Sequence, residues 1–410
     1  MIDHPSSDLK GSKGSVLQGK RVVHCVTSSV ALVKAPEVTR ELLRFGAEVN
    51  VVMSPESKNL IHPNLMEWAS GNSVVTDLTG RLEHVALGEC SDLILICPAT
   101  SNVINKIACG IADDPVTAVI STGIGSRKPI VIVPAMHESM YQHPILVENI
   151  RKLEDLGIIF VNPRMEEGKA KIADTNKILF IVMRVVGENA DKLKGVRVMV
   201  TAGPTEEKID PIRSITNSSS GKMGLALAEE AAIRGAKVTL VYGAGYIEPP
   251  SFLDVIPVKS GGEMYNTVCN ELKRNFYKVF ISAAAVSDFF LDPIKKDKIK
   301  TKGRTSLNLR LKVSPKIINP VKKVSSKTFL VAFKAEYRKT DKILIESGRS
   351  LMKNSGADLV IANDIGRKGS KFGSEKIEVI LIGQKVTPLK LDTKPKIASR
   401  ILDEIGKRII

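Results

Sequence analysis

A chain of 410 residues with 43% hydrophobic content has enough apolar surface for two or three domains with real cores, which excludes disorder as the default. Its 60 Lys and Arg against 44 Asp and Glu leave a net charge of +16, which favours anionic partners. Aromatic content is only 4% and the basic residues are dispersed, densest at 295–302, so stacking on single-stranded nucleic acid is not expected. Five cysteines (Cys25, Cys90, Cys97, Cys109, Cys269) without a C-x-x-C pair indicate neither a disulfide framework nor a zinc site. Cys25 and Cys97 fall in strand-like apolar runs and read as small buried thiols. No apolar run approaches a membrane span or signal-peptide core. We therefore expect a cytoplasmic protein with a flexible N-terminus over 1–19 that carries His4, acting on small molecules rather than on nucleic acid or membrane.

Strand-like runs at 21–27, 48–53, 92–97, 129–134 and 158–161 alternate with helical patterns such as 34–45. That alternation predicts a parallel sheet flanked by helices. A helix over 173–186 leads into GENADKLKG, polar with glycines at both ends, where a linker at 188–195 separates a domain over 20–187 from one over 196–410. The second half repeats the logic with strands at 196–201, 237–242, 278–282, 328–333 and 358–361 and a helix at 222–234. The fold class expected is α/β, two doubly wound, mostly parallel-sheet domains. The G-A-G at 243–245 lacks the G-x-G-x-x-G spacing, so a nicotinamide site is not supported.

Ligands in such sheets bind beyond the carboxyl ends of the strands, and the unusual residues fall there. In the first half these are His84, the turn Pro98-Ala99-Thr100-Ser101-Asn102, and PAMHESMYQHP at 134–144. His24, His62 and His143 have no comparable company and read as structural. In the second half VTAGPTEEKIDPIRSITNSSSGKMG, at 200–224, turns from a strand through glycines and serines into a helix start, whose unpaired N–H groups suit a phosphate or carboxylate. It is not a P-loop, because Met223 stands where a Ser or Thr would meet magnesium.

The 200–224 segment is similar, residue for residue over most of its length, to the ligase half of the bifunctional phosphopantothenoylcysteine decarboxylase/phosphopantothenate–cysteine ligase family of coenzyme A synthesis. The stretch from about 20 to 186 resembles the flavin-dependent cysteine decarboxylases, marked by the His, the P-A-T-x-N turn and a P-x-M-N-x-x-M segment. The resemblance implies FMN held by Thr27, Ser28, Ser29, Ala99, Thr100 and Asn102, His84 as acid/base residue, and substrate contacts at Met136 and His137. A flavin is needed because an N-acylcysteine carboxylate has no group to stabilise the carbanion left by loss of carbon dioxide. Oxidising CH₂–SH to a thioaldehyde supplies one. This chain departs from the family at three places: His137 replaces the Asn, Ser28 and Ser29 replace glycines, and the flap at 163–174 has no cysteine. Lys169 or Lys171 is the candidate to protonate the enethiol instead.

For the second half the resemblance implies an acyl-cytidylate made from CTP and 4′-phosphopantothenate, with cysteine as the incoming amine. Asn217 then holds the acyl-cytidylate, and Gly203, Ser220, Gly221 and Lys222 surround the anionic acid. Ala284, Asp288, Phe333 and a helix opening at SPKII with Pro315, Lys316, Ile317 and Ile318 form the CTP site. Lys298, a catalytic lysine, meets the triphosphate with Arg349 and Lys353, and the glycine-rich segment 362–375 serves as a lid. Magnesium accompanies CTP through ligands the sequence leaves unassigned, and the relatives form homo-oligomers. Two other readings stand beside this one. In one the flavin half is an FMN-binding regulatory module without decarboxylation; in the other the chain is a basic nucleic-acid-binding protein with its cations on one face.

Overall fold

Runs of Val, Ile and Leu bounded by turn residues build two separate sheets, each covered by helices on both faces. The structure, a computed structural model describing residues 4–294, 297–300, 305–371 and 373–409, divides into two compact units after Ala190. In unit 1 the strands are β1 (Arg21–Val26), β2 (Glu48–Met53), β3 (Leu93–Ala99), β4 (Ile130–Pro134), β5 (Met136–His137), β6 (Ile159–Phe160), β7 (Arg164–Glu166) and β8 (Lys169–Lys171). The order β2-β1-β3-β4-β6 is parallel throughout and reverses direction between β1 and β3. Every residue of β3 is buried, as expected of a central parallel strand with helices on both sides.

β5, β7 and β8 form a small antiparallel ribbon. Its tip places Glu167 (φ 51°) and Gly168 (φ 67°) in the left-handed region, the backbone a two-residue hairpin turn requires. The N-terminal segment, expected to be loose, is instead tied down. A 3-10 helix forms at Pro5–Leu9, Gly11 N–H donates to Leu43 O at 3.0 Å, Leu17 N–H donates to Phe45 O at 2.9 Å, and Leu17 is fully buried. Its polar composition hid one anchoring leucine and a set of backbone hydrogen bonds, neither of which has a sequence period. His4 shares a hydrogen bond with Ser6 there.

Unit 2 contains β9 (Arg197–Ala202), β10 (Glu206–Lys208), β11 (Ser214–Thr216), β12 (Lys237–Tyr242), β13 (Asp254–Pro257), β14 (Val279–Ser282), β15 (Phe289–Leu291), β16 (Leu311–Val313), β17 (Phe329–Glu336), β18 (Leu359–Asp364), β19 (Lys376–Ile382) and β20 (Val386–Thr393). The main sheet runs β13-β12-β9-β14-β17-β18-β19-β20, parallel as far as β18 and closed by the antiparallel pair β19 and β20. Its order reverses between β9 and β14. The helix Lys222–Ile233 is buried almost all round, with the C-terminal helix Lys394–Ile409 packed against it. Arg234, 1% exposed, locks the two helices: its guanidinium donates to Glu230 (2.9 Å), Asp403 (2.8 Å) and both oxygens of Ser399 (2.9 Å). The helix expected to open at Ser314 does not form; 317–320 is a turn and a four-residue helix begins at Val321. Pro320 disfavours helical backbone at Asn319, which delays the start.

Candidate functional site

In unit 1 three turns converge where the sheet order reverses. Thr27, just past β1, donates its hydroxyl to Pro98 O (2.8 Å) and accepts from Thr100 N–H (3.2 Å), welding the turns after β1 and β3. Ser29 donates to Ala135 O (3.1 Å) and Ala135 N–H donates to Ala99 O (3.0 Å), which adds the turn after β4. Thr100 caps the helix Ser101–Ala108 by accepting from Val103 N–H at 3.3 Å. Thr27, Ser29, Ala99 and Thr100 are thus brought together with most of their side-chain hydrogen bonds made inside the protein. Ser28 is half-buried and Asn102 exposed at the start of that helix, and neither side chain makes a hydrogen bond among the described residues.

His84 is the second residue of the helix Glu83–Cys90, which leads into β3. Eight residues at about 1.5 Å each carry that helix about 12 Å back along the sheet, so His84 lies toward the carboxyl edge. Gly88 permits close packing: a Cβ there would lie 2.6 Å from Thr122 Cβ. The Nδ1 of His84 is buried and has no hydrogen-bond partner among the described residues. An unsatisfied buried ring nitrogen costs about 1–3 kcal/mol, an arrangement that a bound polar group relieves. His24 is the opposite case. Because Cys97 O can only accept, the ring donates from Nε2 at 2.7 Å and Nδ1 accepts from Thr39 at 2.9 Å. Full burial pushes its pKa down to about 4, so this histidine is a neutral strut between β1 and β3.

His137 is exposed and caps a short helix, its Nδ1 accepting from Ser139 N–H (3.4 Å) and sharing a hydrogen bond with the Ser139 hydroxyl (2.9 Å). The ribbon register pairs Met136 with Ala170 and His137 with Lys169. Lys171 is engaged by Glu166 (3.2 Å) and Glu167 (2.9 Å), whereas Lys169 has no ion pair among the described residues.

In unit 2 the reversal point is built from close backbone contacts. Gly203 (φ 82°) ends β9 and Gly221 (φ 75°) opens the helix Lys222–Ile233, and a Cβ on Gly221 would lie 3.1 Å from Gly203 Cα. A Cβ on Gly224 would lie 2.4 Å from Ala202 Cβ, so the helix start presses on the strand end. No side chain caps this helix. Its first-turn N–H groups open on a cleft of about 150 Å³ lined by Ser220, Gly221, Lys222, Ala284, Phe333 and Lys394, among others. Lys222 forms an ion pair with Glu375. Asn217 donates both amide hydrogens to the turn after β14, to Ala285 O and Val286 O at 3.1 Å each. Here its amino group anchors that turn, where the resemblance had it facing the acyl intermediate.

Asp288 forms an ion pair with Lys316. Lys298 is exposed, and its neighbour Ile299 is fastened on both sides: its N–H donates to Asp210 at 3.1 Å and its carbonyl accepts from Arg213 at 3.2 Å. The Ile299 N–H first, then those of Ile212 and Arg213, hold the Asp210 carboxyl at about 2. Asp288, Lys298, Pro315, Lys316, Ile317 and Ile318 do not line the cleft among the described residues. Arg349 and Lys353 share an exposed face of the helix Asp341–Ser355, also outside the lining. Of the basic run at 295–302, residues 295, 296, 301 and 302 lie outside the described residues.

Sequence reasoning missed Asp210, Glu207, whose carboxylate accepts from Gly261 N–H at 2.7 Å, and Lys394. The last had a signal. Thr393-Lys394-Pro395 reads as a helix start, where the helix dipole disfavours a cation.

Two family models match the chain: Flavoprotein over 10–187, and DNA/pantothenate metabolism flavoprotein C-terminal domain over 193–409. A coenzyme A biosynthesis bifunctional protein CoaBC from Thermococcus kodakarensis is 47% identical over 407 residues, covering 98% of each chain. The protein of that name from Methanocaldococcus jannaschii is 36% identical over 409 residues, covering 100% of this chain and 98% of that one. A crystal structure of the C-terminal domain of a CoaBC protein is 31% identical with a TM-score of 0.44, covering 53% of this chain and 97% of the other.

Proposed function

This chain belongs to the family of coenzyme A biosynthesis bifunctional proteins CoaBC, and we propose from that premise which reversal point runs which reaction. The protein is a flavoprotein that combines a carbon–nitrogen ligase with a carboxy-lyase. Unit 2 activates 4′-phosphopantothenate with CTP and magnesium as an acyl-cytidylate, releases pyrophosphate, and passes the acyl group to the cysteine amine with loss of CMP. Unit 1 decarboxylates the phosphopantothenoylcysteine to 4′-phosphopantetheine with FMN. The observation that carries the assignment is that the motifs fall where each strand order reverses, at the carboxyl ends of β1 and β3 and of β9 and β14.

In unit 1 the orphaned Nδ1 of His84 and the turns around Thr27 and Thr100 fit a polar heterocycle with a phosphate tail. The flavin, when bound, supplies the two-electron chemistry that makes the carboxylate a leaving group. His84 moves the substrate proton, Ser28, Asn102 and the first turn of Ser101–Ala108 take the phosphate, and His137 orients the carboxylate. Lys169, opposite His137 on the ribbon and without an ion pair among the described residues, would donate the proton to the enethiol as the two electrons held by the reduced flavin return, which together give the thiol. In unit 2 the open helix start at Lys222 and the small residues at Ala283, Ala284 and Ala285 suit a nucleotide lying against backbone, with Lys222 on the anionic acid and Lys298 on the triphosphate. The protein works in the cytoplasm as a homo-oligomer on these small molecules. No helix among the described residues is long and apolar enough to cross a membrane.

The test supplies 4′-phosphopantothenate, cysteine labelled at its carboxyl carbon, CTP and magnesium, and records pyrophosphate and labelled carbon dioxide together. Both are expected; pyrophosphate without carbon dioxide would overturn the unit 1 assignment, and neither would overturn both. Replacing CTP with ATP decides the nucleotide. Lys169→Met should leave pyrophosphate release intact and accumulate the enethiol, and normal thiol formation would remove Lys169 from the role.

A further inference from the structure

Lys394 is 8% exposed, yet its ammonium has no hydrogen bond or ion pair among the described residues, and it lines the cleft with Ser220, Gly221 and Lys222. Lysines are rarely this buried without a partner, because the desolvated charge is left uncompensated. Two further terms oppose it. It is the first residue of the helix Lys394–Ile409, whose dipole repels a cation, and Lys222 faces it from the other helix. Lys371 and Glu375 face the same space from the loop before β19, but Glu375 is already paired with Lys222. The Lys394 backbone is held by its N–H donating to Glu375 O at 3.0 Å and by Pro395 beside it, so the ammonium is aimed by fixed main chain. Opposite it, the first turn of Lys222–Ile233 presents N–H groups that no side chain caps. An unpartnered buried cation and an uncapped helix start thus share one cavity. Together they form a site that an anion completes.

We propose that Lys394 is an anion-binding residue of the ligase cleft, its ammonium taking a phosphoryl oxygen of a phosphorylated substrate beside the first turn of Lys222–Ile233. This rests on the reading that the cleft accepts phosphorylated substrates. The oxygen belongs either to the nucleotide triphosphate or to the phosphomonoester of the acid, and separate titrations distinguish the two.

The test measures binding of CTP with magnesium, and of 4′-phosphopantothenate alone, by calorimetry on the full-length protein and on Lys394→Met and Lys394→Arg. Loss of one charge-assisted hydrogen bond should weaken one of the two ligands roughly 10- to 100-fold in Lys394→Met, and Lys394→Arg should retain most of the affinity. Burial first, then Lys222, lowers the Lys394 pKa to about 8. Wild-type affinity should therefore fall as pH rises through about 8, and Lys394→Arg should be flat over that range. The ligand-free thermal midpoint of Lys394→Met should not drop, since it sheds a desolvated charge, and its flavin absorbance should be unchanged. Wild type binding neither ligand would overturn the functional reading. Wild type binding while Lys394→Met binds both equally well would overturn the Lys394 proposal alone. Should Lys394→Met fail to fold, a wild-type pH profile in Lys394→Arg would overturn it instead.

Discussion

The two reversal points differ in how closely the helix start approaches the strand end. In unit 1 the turns are joined by side-chain hydroxyls, Thr27 to Pro98 and Thr100, and Ser29 to Ala135. In unit 2 three glycines let the helix start press on the strand end, Gly221 against Gly203 and Gly224 against Ala202, while the side chains of Asn217, Thr201 and Thr205 tie β9 and its turn to the turn after β14, and lysines face the cleft. The difference matches what each is proposed to hold. A flavin is large and mostly uncharged, so polar, weakly charged turns suit it. A triphosphate carries dense negative charge, so main-chain N–H groups must approach closely, which side chains would prevent, and cations must stand near.

Substitutions at one point should leave the other's chemistry running. His84→Gln should give the largest effect, a loss of about 10²- to 10⁴-fold in carbon dioxide release, typical of a lost general acid/base, with pyrophosphate release unchanged. Equal loss of both products would break the comparison. Arg234→Ala strands the buried Glu230 carboxylate and frees the helix that opens the second cleft. It should cost about 3–5 kcal/mol in denaturant unfolding and reduce pyrophosphate release with it.

A pH experiment addresses the first point's scaffold. Burial lowers the His24 pKa from 6.5 in the unfolded chain to about 4 in the folded one, so the unfolded chain binds the extra proton. The resulting stability, about 3 kcal/mol, is present above pH 6.5 and is lost as pH falls from there toward 4. His24→Gln should lose that acid sensitivity when midpoints at neutral and acid pH are compared; an unchanged dependence would contradict the strut assignment. The smallest effects sharpen the same comparison. Gly224→Ala pushes a methyl into Ala202 and should cost about 1–3 kcal/mol with weaker CTP binding. Thr27→Ala leaves Pro98 O and Thr100 N–H without their partner and should cost about 1–3 kcal/mol with weaker flavin retention.

Strands were legible where the signal is local. The runs at 48–53 and 237–242 coincide with β2 and β12 to the residue, because β-branched residues are bounded directly by turn formers. The edge strand β20 and the ribbon strands were not anticipated, since they have no continuous apolar run, whereas β19 carries a legible one at Val379-Ile380-Leu381-Ile382 that was passed over. Among the site residues, the sequence placed the glycines and serines of 200–224 at a helix start. It did not reveal that Asn217 turns both N–H groups to Ala285 and Val286, nor that Asp210 pins Ile299 beside Lys298. Those bonds join residues 68, 69 and 89 positions apart, and no local pattern encodes them.

The amino-acid sequence by itself determined two helix-covered, mostly parallel sheets and the loops at the carboxyl ends of their strands, because hydrophobic period and turn residues act over a few neighbours. Tertiary structure alone decided which polar groups are satisfied within the protein and which are left without a partner among the described residues. Thr27 and Asn217 belong to the first class, His84 and Lys394 to the second. The physical reason is that desolvation and the supply of hydrogen-bond partners depend on chain segments far apart in sequence, and these were invisible until the helices closed on the sheets.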